Sequence, residues 1–176
     1  IVIVDFGSTD YSQKKLLAQF PSLKIKIINE ETFFSRGKGL NIGFQNSTKQ
    51  NVFFCDADMM FNSDDIFISA QTELSKGKVF FPICFDLIEP THQVGYWRES
   101  GYGMMFGNRK QLIKLGFKWS EYDSLGQEDN DACEFFTKRD MVTRYKVKGY
   151  FHQWHPSSKF FKNSNYKVGA ISKGTK

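Results

Sequence analysis

The stretch Asn51-Val52-Phe53-Phe54-Cys55-Asp56-Ala57-Asp58 decides how this chain is read. A short, continuous apolar run suits a strand covered on both faces, as in a sheet with helices on either side. The run stops on two carboxylates separated by one small residue. In open α/β sheets, ligands bind beyond the carboxyl ends of the strands, so this acidic pair falls where a ligand would be met. Ile1 to Val4 repeats the pattern and ends at Asp5.

Working outward, Tyr11 to Phe20 carries Leu16, Leu17 and Phe20 at helical spacing, and Pro21 stops it. Leu23 to Ile28 alternates apolar residues with Lys, which suits a strand nearer an edge. Gly37 to Ser47 reads as a helix with Leu40 and Phe44 one turn apart. Ser63 stands where a helix cap belongs, ahead of Asp64 and Asp65 in a positive first turn. The stripe of that helix is Ile66, Phe67, Ala70 and Leu74, and Gly77 ends it. Val79 to Phe85 is a strand interrupted at Pro82. Asn108 to Leu115 is a short helix closed by Gly116. Asp129 or Asp131 caps a helix running to Thr137, and Val142 to Val147 alternates as a strand. Strand and helix therefore alternate, which predicts a three-layer α/β/α domain with a mainly parallel central sheet. The domain is expected over residues 1–156. Residues 157–176, rich in Ser, Lys, Asn and Gly, are expected to form a basic polar tail or loop.

Composition narrows the function. The 176 residues are 40% hydrophobic, enough for a core of ordinary size, and include 19 Phe. The formal charge is +5 and the pI about 9.0. The lysines are scattered, with no basic stripe interleaved with aromatics, which argues against nucleic acid as a partner. No apolar run approaches the ~20 residues that a membrane-spanning helix needs, leaving peripheral contact as the open membrane relation. No charged-then-apolar leader opens the chain. It begins at Ile1, already inside a strand, which predicts native sequence upstream. Cys55, Cys84 and Cys133 are widely spaced and odd in number, so they read as buried thiols rather than a disulfide framework or zinc ribbon.

Four segments can carry chemistry. In Asp56-Ala57-Asp58, one carboxylate can hold a hard divalent cation such as Mn²⁺ or Mg²⁺ and the other can orient a ribose or sugar hydroxyl. The plain alternative is an acidic turn at a strand end. His152-Gln153-Trp154-His155 places two of the chain's three histidines three positions apart. Imidazoles at this spacing can converge on one metal at a turn, or simply pack among aromatics. Gly126-Gln127-Glu128-Asp129-Asn130-Asp131 puts three acids at a helix start. Dipole compensation explains one or two of them, and a general base for an acceptor hydroxyl would explain another. Phe34-Ser35-Arg36-Gly37-Lys38-Gly39-Leu40-Asn41-Ile42-Gly43 is a basic, glycine-containing helix start, a natural anion site but not a Walker loop.

Together these segments resemble the chondroitin N-acetylgalactosaminyltransferases and the related β-1,4-galactosyltransferases, both of the GT-A fold. The match runs from about Ile1 to Pro156. It includes the arginine-bearing loop, the Asp-x-Asp, Tyr96-Trp97-Arg98 with Gly101-Tyr102-Gly103-Met104, the Gly126 to Asp129 segment, and Phe151-His152-Gln153-Trp154-His155. The resemblance implies an inverting, UDP-sugar-dependent transferase acting on a glycan acceptor. By it, Asp58, His152 and His155 would bind Mn²⁺. Arg36 would contact the diphosphate, Asp56 the ribose or donor sugar, and Asp5 and Asn41 would belong to the nucleotide site. Asp129 would be the general base and Glu128 would hold acceptor hydroxyls. Trp97, Tyr102 and Gly103 would line the sugar site. Two departures stand out. The family's Trp-Gly-Gly-Glu-Asp is here Leu125-Gly126-Gln127-Glu128-Asp129, without the Trp stacking surface, and the family's first strand is not in the sequence. The rival expectations are a non-catalytic partner that stabilises an active polymerase, and a sugar nucleotidyltransferase. The expected setting is bacterial cytoplasm, with an excised Golgi-lumen domain as the alternative.

Overall fold

Alternate residues of one strand point to opposite faces of a sheet, and here both faces are apolar. The computed structural model describes residues 1–9, 12–89, 91, 94–122 and 127–155. Its elements run β1 (Val2–Asp5), α1 (Gln13–Gln19), β2 (Lys26–Asn29), α2 (Arg36–Gln45), β3 (Asn51–Phe54), β4 (Met59–Phe61) and α3 (Asp65–Ser75). There follow β5 (Val79–Phe80), β6 (Ile83–Leu87), β7 (Gly95–Trp97), β8 (Met105–Asn108), α4 (Arg109–Lys114), α5 (Glu128–Thr137), β9 (Val142–Thr143) and β10 (Lys146–His152).

Val52 and Phe54 of β3, with Val79, Phe81 and Met105, form one core with Leu112 of α4 and Ala132 and Phe136 of α5. Leu40 and Phe44 of α2 pack against it. Phe80 and Phe106, the intervening residues, form a second core with Ile66 and Ala70 of α3 and with Val147 and Tyr150 of β10, joined by Phe53. Each fully buried side chain of this size is worth about 1.5–3 kcal/mol, so both faces must be covered. The expected three-layer α/β/α arrangement follows from this.

The strands form a two-stranded β1-β2 sheet and two four-stranded sheets, ordered β3-β8-β5-β9 and β4-β10-β6-β7. Pairing corrects the expectation of a mainly parallel sheet. Among the described residues β1–β2, β5–β9 and β6–β10 are parallel, while β3–β8, β5–β8, β4–β10 and β6–β7 are antiparallel. The added antiparallel strands β4, β7 and β8 are three or four residues long, too short to show a period. Pro82 has a clear meaning. It has no N–H to give a ladder, and the chain passes there from one four-stranded sheet to the other. Phe81 and Ile83 on either side donate to Thr143 O and Tyr145 O, at 2.9 Å each.

Helix starts set the site. Ser35 caps α2, its hydroxyl accepting from the Lys38 N–H at 3.5 Å. The cap of α3 is Asp64 without a side-chain bond, rather than Ser63, whose Oγ accepts from the Asp65 N–H at 3.4 Å. Helix α5 starts at Glu128, so Asp129 lies in its first turn rather than at its cap. Leu125, Gly126 and the segment 157–176 lie outside the described residues.

Candidate active site

Strand β10 delivers His152 from its last position, and the following turn returns to Asp58, whose carbonyl accepts from the Gln153 N–H at 2.9 Å. His152 Nε2 lies 3.2 Å from Asp58 Oδ2, and His155 Nε2 lies 3.6 Å from the same oxygen. One donor atom from each of Asp58, His152 and His155 falls within 4.8 Å of the others. Asp58 Oδ1 is buried and has no hydrogen-bond partner among the described residues. An acceptor left this way is costly, and a cation would satisfy it. One carboxylate with two imidazoles suits Mn²⁺, so these residues fit a divalent metal.

Protonation is poised by the same contacts. Hydrogen bonds to Asp58 and Asp86 outweigh burial and push His152 up to about 9. The Asp58 carboxyl is held low, chiefly by the His152 hydrogen bond against the opposing effect of burial. Burial would raise the Asp86 carboxyl, yet His152, Tyr96 and Arg98 together hold it below its ordinary value. Beside the Asp-x-Asp, burial and then the Asp56 and Asp58 charges push the Cys55 thiol up to about 12, which keeps it protonated.

Arg36, at the start of α2, joins a second group. Its Nε and Nη2 donate to Asp56 Oδ1 at 3.0 and 2.9 Å, Nη2 to Gly103 O at 2.6 Å, and Nη1 to Glu128 Oε1 at 3.2 Å. Burial lowers the Arg36 pKa, but Asp56 and then Glu128 overcompensate and leave it raised. Gly103 permits this approach, since a Cβ there would sit 3.0 Å from Arg36 Nη2 and 3.4 Å from Asp56 Oδ2. Asp129 Oδ2 accepts from the Tyr102 N–H at 3.2 Å and Oδ1 from the Asn130 N–H at 2.9 Å. The Arg144 guanidinium lies 4.4 Å from the Tyr102 ring centroid and holds Glu99 O at 2.7 Å, which fixes the backbone that holds Asp129. Trp97 meets Phe85 edge-on at 5.4 Å.

Three expected contacts are placed differently. Asn41, expected beside the nucleotide, is 6% exposed and bonds the Trp119 backbone twice: its Nδ2 donates to Trp119 O and its Oδ1 accepts from the Trp119 N–H, both at 2.9 Å. Its amide is committed to holding α2 against this segment. Glu128, expected to hold acceptor hydroxyls, is 3% exposed and ion-paired with Arg36. Asp5 is buried and holds its own turn, accepting from the Ser8 N–H at 2.9 Å and Gln13 Nε2 at 3.2 Å. Two residues had no role assigned from sequence: Asp86, whose one signal is a lone carboxylate in the apolar run Ile83 to Leu87, and Tyr96, which entered only as part of the motif Tyr96-Trp97-Arg98.

The fold and the cluster define the class: the chain has the GT-A fold, with a candidate metal site at Asp58, His152 and His155. Its sequence is similar to the chondroitin N-acetylgalactosaminyltransferases, and its fold to a β-1,4-galactosyltransferase. The Glycosyl transferase family 2 model matches residues 1–74. Human chondroitin sulfate N-acetylgalactosaminyltransferase 2 is 29% identical over 185 residues, covering 88% of this chain and 34% of its own length. The chain thus spans about a third of the length of that relative. S. aureus TarS 1-349 with UDP-GlcNAc superposes with a TM-score of 0.67 at 16% identity, covering 89% of this chain and 50% of that one. A point mutant of Drosophila β-1,4-galactosyltransferase 7 in complex with manganese, UDP-Gal and xylobiose gives 0.52 at 14%, covering 94% and 74%. No helix among the described residues is long and apolar enough to cross a membrane.

Proposed function

We propose that this chain catalyses metal-dependent, inverting transfer of a hexose or N-acetylhexosamine from a UDP-sugar to a sugar hydroxyl in glycan synthesis. GalNAc is the favoured sugar, on the similarity to a chondroitin N-acetylgalactosaminyltransferase. The observation that carries the reading is one continuous contact network. It runs from the Asp56–Asp58 turn through Arg36 to Gly103 and Glu128, and so to Tyr102 and Asp129.

Asp58, His152 and His155 would hold the cation, as Mn²⁺ or Mg²⁺. When bound, such a cation supplies charge that stabilises a departing diphosphate. Asp56 orients a ribose or donor-sugar hydroxyl. Trp97, Tyr102 and Gly103 line the sugar site, and Glu128 acts by fixing Arg36. The Asp129 carboxylate takes the proton of the acceptor hydroxyl. That oxygen forms the new bond to the anomeric carbon from the face opposite the leaving group, the sugar–diphosphate bond breaks, and UDP departs. Cys84 is buried, whereas Cys55 and Cys133, expected to be buried, are half-buried; these free thiols, with the Lys and Asn richness, favour a bacterial cytoplasmic setting.

The test is Asp129→Asn. Transfer should fall by about 10²–10⁴-fold, while calorimetry shows unchanged Mn²⁺-dependent UDP binding. Near-normal turnover would remove Asp129 from the base role. Release of pyrophosphate instead of UDP would assign the nucleotidyltransferase reaction.

A further inference from the structure

Strands β4, β10, β6 and β7 lie side by side, and their register sets polar residues in a row. His152 is paired with Met59, next to Asp58, on one side and with Asp86 on the other. Asp86 in turn is paired with Tyr96. The side chains make the same sequence of contacts. His152 Nδ1 lies 2.8 Å from Asp86 Oδ1, and Tyr96 Oη donates to Asp86 Oδ2 at 3.0 Å. A Cβ on Gly95 would sit 2.3 Å from Asp86 O, so β7 comes this close only because glycine stands there.

Resting on the reading of Asp58, His152 and His155 as the cation site, we propose that Asp86, braced by Tyr96, is a positioning residue of that site. It fixes the His152 ring and its proton on Nδ1, leaving Nε2 as the donor atom facing Asp58. An imidazole ring can flip about χ2 and can carry its proton on either nitrogen. An acceptor on Nδ1 removes both freedoms, and a carboxylate there also makes the opposite nitrogen more basic. Asp86 itself is not offered as a ligand, because one oxygen is taken by His152 and the other by Tyr96. Its side chain is 14% exposed, so a carboxylate in this strand calls for partners, and His152 and Tyr96 bond its two oxygens.

The experiment titrates Mn²⁺ alone into the full chain by calorimetry, with manganese EPR of the bound ion and melting curves in EDTA. Asp86→Ala should weaken Mn²⁺ about 10–100-fold and alter the EPR spectrum. Asp86→Asn keeps an oxygen acceptor and should recover most of that loss. Tyr96→Phe should weaken binding a few-fold with an unchanged melting temperature. Wild-type affinity and spectrum in Asp86→Ala would overturn the proposal. So would an Asp86→Asn loss equal to that of Asp86→Ala. If Asp86→Ala does not fold, Tyr96→Phe decides, and wild-type affinity there overturns it. Asp58→Ala is the separate control: Mn²⁺ binding retained in that variant would sink the cation site itself rather than the role of Asp86.

Discussion

His152 holds a proton in the metal-free protein because two carboxylates flank it. Its pKa rises from 6.5 unfolded to about 9 folded. The stability it contributes is therefore fully present below about pH 6.5 and is lost as pH rises through about 9. Melting in EDTA from pH 6 to pH 10 checks this. The advantage of wild type over His152→Gln should be largest at pH 6 and shrink across that window, and a constant difference would refute the coupling. At this scale the histidines were legible, because two of three in the chain fall three positions apart. Asp86 was not legible, because a lone carboxylate in an apolar strand names no partner until register supplies one. The contacts of Asn41 with the Trp119 backbone and of Glu128 with Arg36 were not legible either. A polar residue in a ligand-binding loop carries no mark of whether its bonds go to ligand or to backbone.

One helix, α2, shows how an element positions the site. It presses against the Phe117–Glu121 segment so closely that a Cβ on Gly37 would lie 1.9 Å from Ser120 O. Gly43, two turns on, faces open space apart from Val4 Cγ2 at 3.8 Å. Gly37→Ala should destabilise by about 1–3 kcal/mol through overpacking and shift Arg36 from Asp56. Gly43→Ala should stabilise by up to about 1 kcal/mol through helix propensity. Urea unfolding measures both, and equal effects at the two positions would contradict the packing. The helices were legible by their stripes and stop residues, as was the break at Pro82, but the caps of α3 and α5 fell one or more residues from where they were expected. The strands β4 and β7 were not, since three residues carry no period.

Across the whole molecule, the two cores share no side chain. Ile66→Val should cost about 0.5–1.5 kcal/mol and Leu112→Ala about 2–5 kcal/mol. The double variant should match their sum to within about 0.5 kcal/mol, as read by denaturant midpoints. A larger departure would mean that the sheets transmit strain between the layers. The layers themselves were legible from alternating strands and helices. The assignment of each strand residue to a face was not, because both faces are apolar. The change of sheet at Pro82 has a broader meaning. Asp58, His152, Asp86 and Tyr96 all hang from the β4-β10-β6-β7 sheet, whereas Asp129 rides on α5, whose core is shared with the other sheet. The molecule is thus modular across a seam. The halves that carry the Asp58–His152–Asp86 cluster and Asp129 can be redesigned, or can diverge, one at a time, with Arg36, which bonds Asp56, Gly103 and Glu128, as the joint between them.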